Sequence, residues 1–282
     1  MHGSRDPVPA EAFFLRPGPD QRYAVFYPPA TSACRGAVLY VHPFGDEMNK
    51  SRRMVALQAR RLAALGYGVL QLDLHGCGDS AGDFADARWE HWRDDIGAGH
   101  AWLRERLDAP LTLWGLRLGA LLALDYAASA AKAGPVDRLL LWQPVPQGAA
   151  FLKQFLRLLT ANDMLTGAGA GSATPPADRL AAGATLEVAG YALAPALAAG
   201  LAACDASALA PVGSTVHWFE TNTAADRPPG PALLRLADAW RAAGVALELH
   251  SVVCAPFWST QEITECPALL DATTAALARD VP

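Results

Sequence analysis

Residues 111-LTLWGLRLGALLAL-124 decide the fold. An apolar, strand-like run enters Gly115-x-x-x-Gly119, and an apolar helical run leaves it. Glycines two residues before and two residues after a sharp strand-to-helix turn let the two backbones approach closely. The middle residue of such a turn stands at the carboxyl edge of a sheet. It faces the amino terminus of the following helix, where free N–H groups and the positive end of the dipole collect. Serine, cysteine or aspartate there makes a nucleophile. This chain has Arg117, which stays protonated and has no acceptor lone pair.

Working outward, short strand-like runs open the chain near Phe13–Leu15 and Tyr23–Tyr27. The run 36-GAVLYVHP-43 is continuously apolar, as expected of a strand buried on both faces. A helix follows, with Asn49 or Ser51 as cap and Val55, Ala59 and Leu62 on one face. The next buried strand is 67-YGVLQLDL-74, then an acidic glycine loop, then a helix from Trp89 to Leu107. After the elbow come a helix over 118–131 and the strand 138-RLLLWQPV-145. Strand and helix alternating in this way predict an α/β fold with a mostly parallel, doubly wound sheet. Ligands of such sheets bind beyond the carboxyl ends of the strands, where His42, Asp73 to Ser80 and Arg117 fall.

Residues 147–210 break the alternation. An amphipathic helix bearing Phe151 and Phe155 leads to the Gly/Ala/Ser/Pro segment 166-TGAGAGSATPP-176, read as a loop, and then to Ala-rich sequence read as helical as far as Leu209. The division expected is a core at 1–146, an inserted, mainly helical lid at 147–210, and the rest of the core at 211–282. In that last part lie strand 214–220, helix 231–244, strand 245–253 and a final helix from about Gln261.

Composition narrows the function. Of 282 residues, 52% are hydrophobic and 18% charged, enough apolar matter for a sizeable core. The net charge of −5 and the lack of a basic stripe make nucleic acid a poor partner. Charged residues, Gly and Pro interrupt every apolar run, so no membrane span is expected. The start, MHGSRDPVPAEAFF, has no apolar leader core, and the five cysteines are scattered and odd in number. These features predict neither a disulfide framework nor a zinc site, no cofactor, and a reducing cytoplasm.

Three segments carry a resemblance: 42-HPFGDEMNKSRRM-54, 73-DLHGCGDSAGDF-84 and 114-WGLRLGALLAL-124. The second resembles the D-x-R-G-x-G-x-S turn of many α/β-hydrolases, and nearly the whole chain resembles that superfamily. Together the three resemble the family called exosortase A system-associated hydrolase 2, whose members resemble one another in carrying Arg within G-L-R-L-G. The resemblance implies the α/β-hydrolase fold and a place in a bacterial system that sorts PEP-CTERM proteins and makes exopolysaccharide. A protein of that system is thus one expected partner.

A Ser-His-Asp mechanism is missing two of its members. The nucleophile is replaced by Arg117. The segment 253-VCAPFWSTQE-262, where the histidine would sit, contains none; Phe257 or Trp258 stands there, and the nearest histidine, His250, is inside a strand. Glu220 and Asp226 are available as acids but have nothing to orient. Loss of the nucleophile or base alone typically costs about a million-fold in turnover.

A guanidinium at a helix amino terminus calls for a carboxylate or a bound anion. Asp46, Glu47, Asp79 and Glu262 are the acids placed to supply it. Four readings stay open. Arg117 plugs a former active site through a salt bridge. Or it holds an anionic or acyl small molecule under the lid, with His42, Glu47, Leu118, Glu262 and Trp258 around it. Alternatively, displaced residues (His75, Cys77 or Ser80) run an unconventional hydrolase or acyl-transferase reaction. Fourthly, the chain is a protein-interaction module. The structural alternatives are also specific. His42 and His75 serve as satisfied histidines, Asp73 holds its turn, and Asp94 and Asp95 form a solvated face. Trp89, Trp92, Trp102 and Trp114 are core.

Overall fold

A computed structural model describes residues 9–129, 134–166, 174–224 and 227–279. An eight-stranded sheet organises it. The strands are β1 (Glu11–Leu15), β2 (Arg22–Tyr27), β3 (Gly36–Val41), β4 (Tyr67–Leu72), β5 (Leu111–Leu116), β6 (Arg138–Trp142), β9 (Thr215–Asn222) and β10 (Ala246–Val253), in the order β1-β2-β4-β3-β5-β6-β9-β10. Pairings β1·β2 and β2·β4 are antiparallel; from β4 to β10 all are parallel. Every residue of β3 and β5 is buried, which explains their largely apolar sequence, with Thr112 the polar member.

Helices cover both faces. On one lie α1 (Asp46–Ala64) and α8 (Pro267–Arg279), packed on a cluster that includes Met54, Leu62, Trp114, Trp142 and Phe257. On the other, α2 (Trp89–Arg106), α3 (Leu118–Ser129) and α7 (Pro231–Ala242) share a cluster with Leu39, Leu70, Ile96, Leu121 and Trp240. Trp89, Trp92 and Trp114 are core as expected, while half-buried Trp102 stacks on Phe13.

Several boundaries differ from those read off the sequence. Helix α1 begins four residues before Asn49 would cap it, because Gly45 takes φ +58 and ends the preceding loop there. The last helix starts at Pro267, which supplies a preset φ at its first turn. Between β6 and β9 run α4 (Gly148–Thr166), α5 (Pro176–Ala181) and α6 (Pro195–Ala203). The Ala-rich stretch is not all helical: β7 (Leu186–Val188) and β8 (Tyr191–Leu193) form a hairpin. Its two central residues, Ala189 and Gly190, have φ +50 and +83, the signature of a turn whose twist matches paired strands. Most of the expected loop at 166–176 lies outside the described residues.

Asp95 is a second correction. It is buried rather than solvated, and accepts Arg22 Nε at 2.6 Å and the His75 N–H at 2.7 Å. Burial pushes its carboxyl up despite both bonds. Asp94, its neighbour, is exposed. Cysteines give a third: Cys254 and Cys266 are paired as a disulfide, which their scattered spacing did not predict. No helix among the described residues is long and apolar enough to cross a membrane.

The elbow is one of the tight points of the fold. A Cβ on Gly115 would stand 2.4 Å from Ala120 Cα, and one on Gly119 would stand 2.3 Å from the His42 carbonyl oxygen. Both obstacles are backbone and neither can swing aside. Gly119→Ala is therefore expected to lower unfolding stability by roughly 3 kcal/mol. Urea denaturation checks this; an unchanged midpoint would mean that strand and helix can separate at no cost.

Candidate ligand site at the elbow

Arg117 lies between β5 and α3 with φ +56, one of three non-glycine residues with positive φ among those described. Such a conformation costs a residue with a side chain on the order of 1–3 kcal/mol and persists only where its surroundings impose it. Here three backbone bonds do so. The Arg117 N–H donates to the Trp142 carbonyl at 2.9 Å, and its own carbonyl accepts from Ala120 and Val145 at 3.1 and 3.2 Å. The strained geometry of a nucleophile elbow is thus intact around a residue that cannot be a nucleophile.

Of the four acids proposed as partners, Glu47 pairs with the guanidinium. Arg117 Nε donates to Glu47 Oε1 at 3.3 Å, with the side chains 19% and 20% exposed. The other Glu47 oxygen is buried without a hydrogen-bond partner. Burial accordingly pushes the Glu47 carboxyl up, against the pull of Arg117. Asp46 pairs instead with Lys50 at 2.9 Å. Asp79 is exposed and donates its N–H to Asp73, and exposed Glu262 uses its carbonyl to accept the Thr260 and Thr264 hydroxyls. The guanidinium carbon lies 5.4 Å from the centre of the Trp258 ring. Trp258, where a histidine would follow the last strand, faces the guanidinium from outside the neighbouring cavity, and Phe257 packs edge-on against it.

The remaining sequence candidates hold loops together. His42 Nδ1 donates to the Pro43 carbonyl at 2.8 Å and Nε2 accepts the Leu74 N–H at 3.2 Å, the one tautomer that serves both. Burial lowers its pKa, which keeps it neutral. Leu118 is buried against His42 and Phe44 around a gap of about 10 Å³. Ser80 donates to the Asp73 carbonyl and accepts the Tyr23 N–H. Asp73 holds its turn as expected, accepting Arg52 at 3.0 Å and the Asp79 N–H at 3.1 Å. Cys77 is buried, and that burial pushes its thiol far up, away from the thiolate form. His75 departs from expectation: its Nδ1 is buried with no partner, and burial together with Arg22 lowers its pKa. The three displaced candidates share a loop, but the bond among them is a backbone one, from the Ser80 N–H to the Cys77 carbonyl at 3.1 Å, and no side-chain hydrogen bond joins them among the described residues.

Arg117 borders a cavity of about 770 Å³ beyond the carboxyl ends of β5, β6 and β9, between α4 and α7. Phe151, Trp218, Leu233 and Leu236 give it apolar walls. Its two carboxylates are occupied. Glu220 accepts from Trp218 Nε1 and Gln143 Nε2, both at 3.2 Å, and Asp205 accepts from Gln147 and the Ser207 N–H. Arg235 on α7 is exposed and has no ion-pair partner among the described residues. Asp226 lies outside those residues. Sequence reading missed Gln143 and Arg235. Gln143 has φ +41, which its place before Pro144 argues against, and joins β6 to Thr221; Arg235 had no signal beyond its place on an amphipathic helix.

Removing the arginine while keeping Glu47 isolates a buried acid. Arg117→Met should cost about 3 kcal/mol at neutral pH. The raised Glu47 pKa then rises further, so the folded chain binds a proton that the unfolded one releases. The loss should therefore shrink as pH falls toward the ordinary carboxylate range, and Glu47→Gln added to Arg117→Met should recover most of it. Denaturant titrations at two pH values test this; a pH-independent loss would deny the pair its role.

Comparisons with known proteins agree with this architecture. A family model described as serine aminopeptidase, S33, matches residues 32–166, just under half of the chain. No curated protein matches. Among solved structures, Est1E from Butyrivibrio proteoclasticus with ferulic acid bound is 14% identical, covers 95% of this chain and 97% of its own, and has a TM-score of 0.66. A thermostable carboxyl esterase from Bacillus coagulans in complex with glycerol is 15% identical over 96% of this chain and 98% of its own, with a TM-score of 0.61. A thioesterase domain from the curacin biosynthetic pathway is 16% identical over 96% and 100%, with a TM-score of 0.58. At these identities the likeness is one of fold: the chain has the α/β-hydrolase fold, with Arg117 at the turn where a nucleophile would stand.

Proposed function

We propose that the chain binds an anionic or acyl small molecule in the cavity beside Arg117 and does not work by a Ser-His-Asp mechanism. The carrying observation is the state of the guanidinium. One nitrogen meets Glu47 at 3.3 Å, Trp258 lies against the group, and the 770 Å³ cavity opens next to it. A single long bond uses little of a five-donor fork that matches carboxylate, phosphate or sulfate. Arg235 adds a second cation at the rim, and the apolar walls suit an acyl chain or ring. In this reading residues 147–210 act as a lid, and the resemblance in G-L-R-L-G places the protein beside a bacterial exosortase system. The hydrogen bonds that hold Ser80 and the burial that keeps the Cys77 thiol protonated argue against displaced catalysis.

A panel of fatty acids, phosphate monoesters and sulfate esters, scored by melting temperature, tests the reading. A ligand at a hundred times its Kd should stabilise by about 2.7 kcal/mol, and Arg117→Ala should abolish the shift. No shift across the panel, or an equal shift in Arg117→Ala, would overturn it. A fluorophosphonate probe is expected to label no serine; a labelled serine whose replacement ends ester turnover would restore the enzyme reading.

Arg117→Ser alone is expected to leave the protein without esterase activity, because Trp258 fills the place of a base. Measurable turnover of a short-chain ester in that variant would show that another group serves as base.

A further inference from the structure

Away from the elbow, three side chains on adjacent strands converge on one point. His217 Nδ1 lies 3.2 Å from His250 Nε2, and Glu248 Oε2 lies 3.6 Å from the first and 3.7 Å from the second. The same three atoms thus close a triangle. The parallel register explains it: Glu248 of β10 is level with His217 of β9, and His250 stands two residues further along the same face. That face carries Phe219 and Val252 and lies under α8. The Phe219 ring stacks on His250 at 4.4 Å and 13°, fixing the imidazole's plane.

We infer that His217, Glu248 and His250 form a site for a zinc-type divalent cation. Zinc bonds of about 2.0–2.2 Å at tetrahedral angles place neighbouring ligand atoms roughly 3.3–3.5 Å apart. The observed 3.2, 3.6 and 3.7 Å bracket that spacing. Right-angled ligand sets of the same bond lengths would need about 2.9 Å, which favours a tetrahedral ion. Two imidazoles and one carboxylate are a suitable donor set, and three protein ligands leave a fourth position for water. Access also fits: His217 is 1% exposed, His250 16% and Glu248 53%, so an ion arrives past the carboxylate. Arg279 Nη2, 3.8 Å from Glu248 Oε2, is the competing cation, and its side chain is 65% exposed and can move aside.

His217 and Glu248 sit in the amino-terminal halves of β9 and β10 and His250 just past the middle of β10, while the Arg117 cavity opens beyond the carboxyl ends. A metal here acts on the fold. β10 is the edge strand with β9 as its one strand neighbour, and the ion clips the two together.

Equilibrium dialysis of untagged, chelator-stripped protein against zinc, with the bound metal counted, is the test. Wild type should bind one equivalent at neutral pH, melt at a higher temperature with zinc, and show the intense visible bands of tetrahedral cobalt when cobalt replaces it. Glu248→Gln and His250→Asn, both at solvent-reached positions of the edge strand, should each weaken binding at least about 10-fold. His91→Gln, at an exposed histidine outside the cluster, should leave binding unchanged. Less than one equivalent in wild type, undiminished zinc in either ligand variant, or loss of zinc in His91→Gln would each overturn the site.

Discussion

The contact between the Gly119 backbone and the carbonyls of Val41 and His42 sets the geometry of this molecule. It pulls the amino end of α3 against the carboxyl end of β3, and the chain passes from β5 into α3 through a left-handed turn at Arg117. With the turn fixed, residue 117 projects over the strand ends whatever its side chain. An arginine at this turn therefore leaves the architecture unaltered and presents a full positive charge over the strand ends. That cation, at the positive end of a helix, must be offset by neighbours.

The offsetting group is chemically modest. Glu47 gives one oxygen to Arg117 and leaves the other buried without a partner, a poor bargain for an ion pair that exists only for stability. Trp258 contributes its ring face, which favours a guanidinium by cation–π attraction. An arginine held by one bond and a ring is positioned without being saturated. Positioning without saturation is what a binding group requires and what a plug does not.

How much of this was legible in the sequence depends on what each feature obeys. Gly115 and Gly119 announce the elbow because only glycine fits there, and β3 and β5 announce themselves because both faces are buried. Trp258 was found because a missing histidine leaves a place that must be filled. Local rules failed where the deciding fact was distant. Ala-rich composition suggested helix at 186–193, but the left-handed pair Ala189-Gly190 and the packing of Leu186, Val188 and Leu193 made a hairpin. Adjacent Asp94 and Asp95 read alike, and only the arrival of Arg22 from β2 separates a solvated acid from a buried one. The His217–Glu248–His250 cluster depends on the register between strands some thirty residues apart. Alternation hinted at Glu248 and His250 on one face, but nothing local supplies the third member. The cysteine pair is invisible for the same reason.

The mechanical character of the cavity follows from the polar ties along its strand-end wall. Gln143 donates to Glu220 and accepts from Thr221, and the Arg117 backbone is bound to Trp142 and Val145. These ties join the ends of β5, β6 and β9, so the wall formed by the strand ends behaves as one stiff body. The opposite side, α4 and α7, meets the cavity mainly through apolar side chains, whose contacts slide at little cost compared with breaking buried polar ties. Any breathing of the cavity is therefore one-sided. Under the proposed binding role, a guest would enter and leave along the α4–α7 flank, and the arginine would stay still while the wall facing it yields.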